Sequence, residues 1–166
     1  AIGIAMVVSE HDSNTRNRLG LRDISRSSSR DLSKNSYSDP SVRAIVAEVL
    51  TCVYQSTIHS SATTREAACK IAGAVGANFH EFDVEPLVQK YEEFAEAVIG
   101  RELSWESDDI ARQNIQARVR APGVWLIANL YNAMLVATSN RSEAAVGYAT
   151  MDGDTAGGIA PIAGID

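Results

Sequence analysis

The amino-acid sequence predicts an α/β fold, an open, doubly wound and mainly parallel sheet flanked by helices. Between residues 50 and 137, three short β-prone runs alternate with longer amphipathic segments, a spacing typical of βαβ units. Hydrophobic residues make up 45% of the 166 residues and charged residues 22%, the balance of a globular domain with a buried core. We therefore expect parallel strands with helices packed on both faces.

The first predicted strand is the apolar run 50–54, because the polar segment 55–57 follows it directly. Thr63 and Glu66 have the Thr-x-x-Glu spacing of a capping box and predict the start of a helix. Gly76 predicts the end of that helix, since glycine readily adopts the left-handed conformation that terminates helices.

A second strand is predicted over residues 78–84, followed by an amphipathic helix that ends at Gly100. The apolar face of that helix comprises Leu87, Val88, Tyr91, Phe94, Ala95 and Val98. Ser107, with the acidic pair 108–109, predicts the start of another helix, because acidic groups stabilise a helix N-terminus. Pro122 and the glycine after it are expected to bend or break this helix near its middle.

The third predicted strand, 134–137, leads into the polar turn 138–140. Open parallel sheets bind ligands outside the carboxyl ends of their strands, so we expect a nucleotide site where segments 55–57 and 138–140 meet. Glu143 falls in the first turn after the second segment. Its carboxylate either caps a helix or binds a phosphate-bound Mg²⁺, and its position does not decide between these roles.

The N-terminal residues 1–37 differ from the remainder, 38–166, which we expect to form the domain. Eight serines occur among the seventeen residues 25–41, and such a polar stretch buries little apolar surface. We interpret residues 1–37 as a Ser/Arg-rich arm or linker. The chain begins with Ala1 and stops at Asp166, and we expect it to be a piece of a longer protein.

Charge and cysteine usage narrow the functional class. The formal net charge of −6 argues against nucleic acid or an anionic membrane as the main partner. No apolar run reaches the roughly 18 residues of a membrane helix.

Cys52 and Cys69 are interpreted as buried free thiols of a reducing compartment. His11, His59 and His80 lack the spacing of metal ligands.

Three blocks carry a resemblance to a known family. They are Gln113-Asn-Ile-Gln-Ala-Arg-Val-Arg, Ala137-Thr-Ser-Asn-Arg-Ser-Glu-Ala-Ala-Val-Gly-Tyr-Ala-Thr, and Gly153-Asp-Thr-Ala-Gly-Gly with a following Ala-Pro-Ile. In residue type and spacing they resemble the signature blocks of NAD synthetases, and more the large glutamine-dependent branch than the small ammonia-dependent one. The resemblance implies an N-type ATP pyrophosphatase domain with the adenine nucleotide alpha hydrolase-like fold, of which this chain is part.

The resemblance implies a cytoplasmic ligase that amidates deamido-NAD. ATP would adenylate the nicotinate carboxylate and release pyrophosphate, and ammonia would then displace AMP to give NAD. Adenylation is chemically required because a carboxylate is a poor electrophile until its oxygen becomes a good leaving group. Mg²⁺ would accompany ATP, ammonia would come from glutamine through a nitrilase-like amidase domain, and the enzyme would be a homodimer or larger homo-oligomer.

Family roles transfer to six residues. Thr138 would contact ATP, Gln55 and Ser56 would lie near the adenosine, and Glu143 would coordinate Mg²⁺.

Arg118 would contact deamido-NAD, with Asn114 beside it in the same site. Arg120 lies two positions further, about 200° around a helix, so the two arginines do not face one ligand. We assign Arg118 to the substrate and Arg120 to a structural salt bridge.

One departure from the family pattern leaves alternatives open. The pyrophosphatase loop Ser-Gly-Gly-x-Asp-Ser is missing, and its nearest echo is the segment 9–13, which has no glycine. Without glycines, successive backbone N–H groups do not converge closely on phosphates. Either the loop lies in a portion of the protein outside this chain, which we favour, or it was deleted in a truncated or degenerate non-catalytic copy. A separate alternative for the function is another ATP-pyrophosphatase amidotransferase, such as a GMP synthetase. The 113–120 block argues against the GMP synthetase.

Overall fold

A four-stranded sheet in the order β3-β2-β1-β4 organises the fold. The computed structural model describes residues 4–9 and 39–165. In chain order the described elements are β1 (Ile4–Ser9), α1 (Pro40–Val49), β2 (Leu50–Ser56), α2 (Ala62–Val75), β3 (Asn78–Asp83), α3 (Glu85–Ile99), α4 (Asp109–Arg118), α5 (Arg120–Leu130), β4 (Ala133–Val136) and α6 (Arg141–Ala145). None of these helices is both long and apolar enough to cross a membrane.

Strands β2, β3 and β4 run in the same direction, which confirms an α/β fold with a mainly parallel strand orientation. β2 pairs with β3 in parallel, with Thr51 opposite Asn78. β1 lies between β2 and β4 and is antiparallel to both. β1 was not anticipated, because residues 4–9 fall in the segment expected to be an arm. The remainder of that segment, residues 1–3 and 10–37, lies outside the described residues.

The main core forms between the sheet and α5. Val53 of β2 and Leu135 of β4 are fully buried against Val124 and Ala128 of α5. A fully buried Val or Leu side chain stabilises a fold by about 1.5–3 kcal/mol. This packing fixes α5, and therefore the residue that begins it, against the carboxyl-terminal halves of the strands.

Helix α2 begins two residues earlier than the predicted capping box. Ser61 is the N-cap, with extended backbone, and its side chain accepts a hydrogen bond from Thr64 N at 3.1 Å. The predicted capping box of Thr63 and Glu66 is therefore wrong, because the side-chain oxygen of Ser61 already accepts a hydrogen bond from the first turn of the helix. Gly76 ends the helix in the left-handed conformation, with φ 85°, as predicted.

The helical segment after Ser107 breaks at Val119, three residues before the expected position. α4 ends at Arg118 and α5 starts at Arg120. A proline ring clashes with the carbonyl four residues earlier, and for Pro122 that carbonyl belongs to Arg118. The break therefore falls one turn before the proline that causes it.

Helix α3 ends at Gly100 as predicted, with φ 72°, but its apolar face is largely uncovered. Val88 is buried, whereas Phe94 is 57% and Val98 is 87% exposed. The amphipathic pattern located the helix correctly, and most of its apolar face does not pack against the described residues.

The two cysteines differ in their surroundings. Both are free thiols, as expected. Cys52 is buried in β2, and burial raises the pKa of its thiol. Cys69 is exposed, so its predicted burial is wrong. The buried face of α2 consists of Ala68 and Ala72, and Cys69 lies outside it.

Candidate functional site

The polar segments 55–57 and 138–140 lie at the same edge of the sheet. Strands β2 and β4 both run antiparallel to β1, so their carboxyl ends point the same way. β1 separates the two strands, and its first paired residue, Ile4, lies opposite Tyr54 near this edge. The expectation that strand ends gather polar groups at one edge is therefore met by the topology.

A cavity of about 410 Å³ opens beside the end of β2; we call it the first cavity. One wall comprises Gln55, Thr57 and His59 from the end of β2 and the following loop. The others come from the N-terminal end of α2, from α4, from Arg120 and from the loop 147–154. Its volume lies within the range of small-molecule sites.

A second cavity, of about 550 Å³, lies at the start of α4; we call it the second cavity. Its lining includes Ser107, Asp109 and Arg118. Asn114 and Ile110 line both cavities. The two spaces therefore adjoin along α4.

The loop 147–158 forms a wall of the first cavity because it is attached to α4. Thr150 Oγ1 donates a hydrogen bond to Asn114 Oδ1 at 3.3 Å. Arg118 Nε donates to the carbonyl oxygen of Met151 at 3.1 Å. Gly153 lies so close to α4 that a Cβ atom there would come within 2.8 Å of the carbonyl carbon of Ala117. The glycine-rich segment is thus a packed wall at this point.

The end of the same loop is attached to β4. Gly158 N donates to Leu135 O at 2.8 Å, and Ala137 N donates to Ile159 O at 2.8 Å. A Cβ atom on Gly157 would come within 2.7 Å of Ala137 N. Glycine at 157 therefore allows the loop to run against the end of the strand.

Gln55 lines the first cavity and its neighbour Ser56 does not. The Gln55 side chain is buried, and within the described residues its Oε1 accepts no hydrogen bond. A buried amide oxygen without a donor costs free energy. Ser56 Oγ donates to Phe82 O at 3.3 Å, so this hydroxyl contributes to the contact between β2 and β3.

Arg118 and Arg120 occupy different environments. Arg118 is exposed and lines the second cavity, whereas Arg120 is half-buried and lines the first. Arg120 Nε donates to Gln55 O at 3.3 Å, and its Nη1 donates to Gln116 O. None of the ion pairs formed within residues 39–165 includes Arg120. Within the described residues the expected salt bridge is therefore not formed, and backbone carbonyls accept hydrogen bonds from the guanidinium instead.

The charge of Arg120 is only partly compensated. Burial lowers the pKa of its guanidinium, and the Asp154 carboxylate, which lines the same cavity, acts in the opposite direction. Asp154 Oδ2 itself accepts a hydrogen bond from Thr150 N at 3.3 Å. The first cavity therefore contains one cationic and one anionic side chain that do not form a direct ion pair.

Thr138 and Glu143 line neither cavity. Glu143 is the third residue of α6, where Asn140 N donates to its Oε2 at 3.2 Å and Asn140 Oδ1 accepts from its N at 3.0 Å. This reciprocal arrangement is a capping box, one of the two roles that the sequence left open. Within residues 39–165 there is no group of three His, Cys, Asp or Glu side chains placed to hold a metal ion.

The loop before α4 is held by charged contacts around the second cavity. Asp108 forms a two-bond ion pair with Arg101, at 2.7 Å for each contact. That arginine and hydrogen bonds from Ser104 and Ser107 hold the pKa of Asp108 well below its usual range. Arg112 lies 4.4 Å from the ring centroid of Trp105 and pairs with Glu92 at 2.8 Å. These contacts fix the chain on either side of the α4 N-terminus.

The sequence did not predict the wall at the start of α2, and it marked the glycine-rich loop only through its resemblance to a family block. The residues Ser61 and Thr64 come from the start of α2, and Tyr148, Thr150 and Asp154 come from the glycine-rich loop. The N-cap serine and the signature blocks contained the necessary signal. The periodic pattern of apolar residues did not show that α4 lies between these segments.

The chain is similar to NAD synthetases in sequence and in structure. Residues 40–166 match the NAD synthase family model. The chain is 37% identical over 122 residues to a glutamine-dependent NAD(+) synthetase from Aquifex aeolicus, covering 73% of the chain and 21% of that relative. It is 33% identical over 112 residues to the enzyme of the same name from Rhodobacter capsulatus, covering 67% of the chain and 19% of that relative.

The crystal structure of a glutamine-dependent NAD(+) synthetase from Cytophaga hutchinsonii superposes with a TM-score of 0.75 at 45% identity. The alignment covers 92% of this chain and 27% of that chain. This chain thus spans about a fifth of the length of the two curated relatives.

Proposed function

Because the chain belongs to the NAD synthase family, we propose that it forms the substrate cavities of a glutamine-dependent NAD synthetase in the cytoplasm. The family match covers residues 40–166 and favours NAD synthesis over other ATP-pyrophosphatase amidotransferases, such as a GMP synthetase. ATP adenylates the nicotinate carboxylate of deamido-NAD, and ammonia derived from glutamine then displaces AMP. The products are NAD, AMP and pyrophosphate.

The observation that carries this proposal is the pair of adjoining cavities along α4. A reaction between two nucleotides requires both to be held with their reacting atoms close together. Asn114 lines both cavities, so ligands bound in each would meet at this residue. A single isolated cavity would not provide this arrangement.

ATP occupies the first cavity in this proposal. Gln55 lines it, and its unpartnered Oε1 suits an amino donor such as that of adenine after a small rotation of the side chain. Ser56 is adjacent, and its hydroxyl helps to keep the end of β2 in place. Thr138, at the end of β4, would contact the part of ATP that extends along the sheet edge beyond this cavity.

Deamido-NAD occupies the second cavity, where Arg118 supplies a cation for one of its anionic groups. The guanidinium is exposed and therefore accessible. Charge-assisted hydrogen bonds to phosphate or carboxylate are about twice as strong as neutral ones. Asn114 is an amide that can donate to either ligand at the boundary between the cavities.

Glu143 fits a Mg²⁺ site only with help from the nucleotide. Mg²⁺ is commonly bound by one or two carboxylates together with phosphate oxygens and water. The capping bond from Asn140 uses Glu143 Oε2, and a carboxylate has further lone pairs for a cation. Mg²⁺ bound there would neutralise charge on the phosphates. The protein's part is to hold the carboxylate in place through the reciprocal cap.

A homodimer follows from the apolar face of α3 under the same proposal. Tyr91, Phe94 and Val98 are exposed along one side of this helix, and such surfaces are typical of protein interfaces. Phe94→Asp is expected to change a dimer to a monomer in analytical ultracentrifugation. Ile71→Asp, which alters an apolar residue of α2 that is also exposed, is the matched control and should leave the mass unchanged.

Calorimetry on the chain tests the two-cavity assignment directly. ATP and deamido-NAD are titrated separately and then in sequence. The proposal predicts that a chain saturated with one ligand still binds the other. Competition between the two ligands for one site would contradict it.

A non-catalytic copy is the second candidate, and the direction of β1 favours it. Ser9 pairs with Ala133 at the start of β4, and Val8 pairs with Leu50 at the start of β2. β1 therefore ends at the edge opposite the first cavity. The segment 9–13, the nearest echo of a phosphate loop, begins at that far edge, and its residues 10–13 lie outside the described residues.

A further inference from the structure

Among the described residues that line the first cavity, Arg120 supplies a guanidinium. It is the first residue of α5, and the packing of α5 on the sheet fixes its backbone. The hydrogen bonds to the carbonyls of Gln55 and Gln116 then fix the plane of the guanidinium. A guanidinium has more N–H groups than these two bonds use. The remaining edge is therefore held in a defined orientation beside the cavity.

The contacts of Arg120 do not neutralise its charge. Its hydrogen-bond acceptors within the described residues are neutral carbonyls, and the Asp154 carboxylate lies beyond ion-pair distance. Placing a cation in a partly desolvated position costs free energy unless an anion compensates it. A ligand with an oxyanion would provide that compensation.

Another wall of the cavity also favours negative charge. Ser61 and Thr64 place the start of the 14-residue helix α2 in the lining. A helix N-terminus carries partial positive charge, and its first N–H groups bind anions. This wall supports an anion site whose main component is Arg120.

We propose that Arg120 binds a phosphate group of the nucleotide in the first cavity. The resemblance to NAD synthetases did not give Arg120 this role, and the sequence predicted a structural salt bridge for it. The choice of a nucleotide rests on the proposed function, whereas the oxyanion site rests on Arg120 and the cavity. The phosphate belongs either to a bound nucleotide or to free pyrophosphate, and both present the same oxyanions.

Calorimetry on the full 166-residue chain with adenosine, AMP and pyrophosphate distinguishes these sources. Arg120→Gln is expected to weaken AMP or pyrophosphate binding by about 10-fold or more, the loss typical of a charge-assisted hydrogen bond. Adenosine affinity should stay the same. If the variant loses affinity for AMP alone, Arg120 binds a phosphate of the nucleotide. If it loses affinity for pyrophosphate alone, Arg120 binds the leaving group. Arg65→Gln, an arginine outside the cavity that pairs with Glu81, should change none of the affinities.

Arg120→Lys keeps the positive charge but loses the planar, forked donor of arginine. Its affinity for the anion is expected to lie between those of the wild-type chain and Arg120→Gln. This variant keeps the test valid even if Arg120→Gln fails to fold. Three results would overturn the proposal. Adenosine and AMP binding could be weakened equally, or both variants could bind AMP and pyrophosphate as the wild-type chain does. The third such result is a wild-type chain that binds neither AMP nor pyrophosphate. The assay contains no turnover step. Competition between ATP and deamido-NAD for one site, together with Arg120-dependent anion binding, would therefore refute the proposed function alone.

Discussion

Arg118 and Arg120 lie two positions apart in sequence but line different cavities. Arg118 is the last residue of α4 and faces the second cavity, and Arg120 is the first residue of α5 and faces the first cavity. The helix break at Val119 lies between them. This separation gives each cavity its own cation and underlies the assignment of two nucleotides to two adjoining sites.

Arg118→Ala should raise the KM for deamido-NAD about 10- to 150-fold and leave the KM for ATP nearly unchanged, because a charge-assisted hydrogen bond contributes about 1.5–3 kcal/mol. The assay uses a chimera, the Cytophaga hutchinsonii synthetase whose segment matching residues 40–166 is replaced by that of this chain. Arg65→Ala is the control. Equal changes for both substrates would assign Arg118 to the loop 147–158, whose Met151 carbonyl it also binds.

Glu143→Gln separates the two roles of this carboxylate. Glutamine also serves at the third position of a capping box, so α6 and the melting temperature should be retained. Loss of the metal-binding charge should lower kcat of the chimera by several powers of ten, since a bound metal contributes several kcal/mol to transition-state stabilisation. Near-normal activity of this variant at limiting Mg²⁺ would leave Glu143 as a capping residue only.

Gly153→Ala should destabilise the chain by about 1–3 kcal/mol, the usual cost of forcing atoms into a packed site. The new Cβ would lie 2.8 Å from the carbonyl carbon of Ala117. Gly73→Ala in α2 is the control, because nothing lies within 4 Å of its Cβ position and alanine is favoured in helices. Urea denaturation measures both variants. Equal stability of the two would mean that the loop does not pack on α4.

The ion pair between Arg101 and Asp108 should make the stability of the fold depend on pH in the acidic range. The folded pKa of Asp108 is lowered from 3.8, chiefly by Arg101. Its stabilisation is therefore present above the unfolded pKa and is lost as pH falls from about 4 toward the folded value. Asp108→Asn should lower the melting temperature at pH 7, with a smaller difference at pH 3. Glu106→Gln, in the same loop and exposed, should show no such trend. A pH-independent difference would argue against the ion pair.

Local signals in the sequence predicted the ends of elements well. Gly76 and Gly100 terminate helices because each adopts a left-handed conformation that other residues rarely take. The apolar run starting at Leu50 identified β2 for a similarly local reason. By contrast, Cys69 was expected to be buried, because composition alone did not show which face of α2 meets the sheet.

The candidate site was only partly predictable. Gln55 and Asn114 were expected near ligands and do line cavities. Arg118 and Arg120 line different cavities, as their separation of about 200° around a helix predicted, but that separation did not show that Arg120 also lines a cavity. The Asn140–Glu143 cap was one of two roles that the sequence left open, since a carboxylate in a first helical turn suits both capping and metal binding.

The chain by itself should form no NAD from deamido-NAD, ATP and Mg²⁺, even with abundant ammonium. Departure of pyrophosphate requires oriented N–H donors together with a metal. The segment 9–13 has no glycine, and Ser9, the last residue of β1, lies at the edge away from the first cavity. Pyrophosphate release that depends on deamido-NAD and is lost in Glu143→Gln would show that another segment replaces the phosphate loop.

The most direct test of the central claim is NAD formation by the chimera with deamido-NAD, ATP, Mg²⁺ and ammonium. Ammonium makes the measurement independent of glutamine hydrolysis. If residues 40–166 form the two substrate cavities, the chimera should produce NAD and AMP in equal amounts. A chimera that is folded and binds both nucleotides but forms neither NAD nor AMP would contradict the claim.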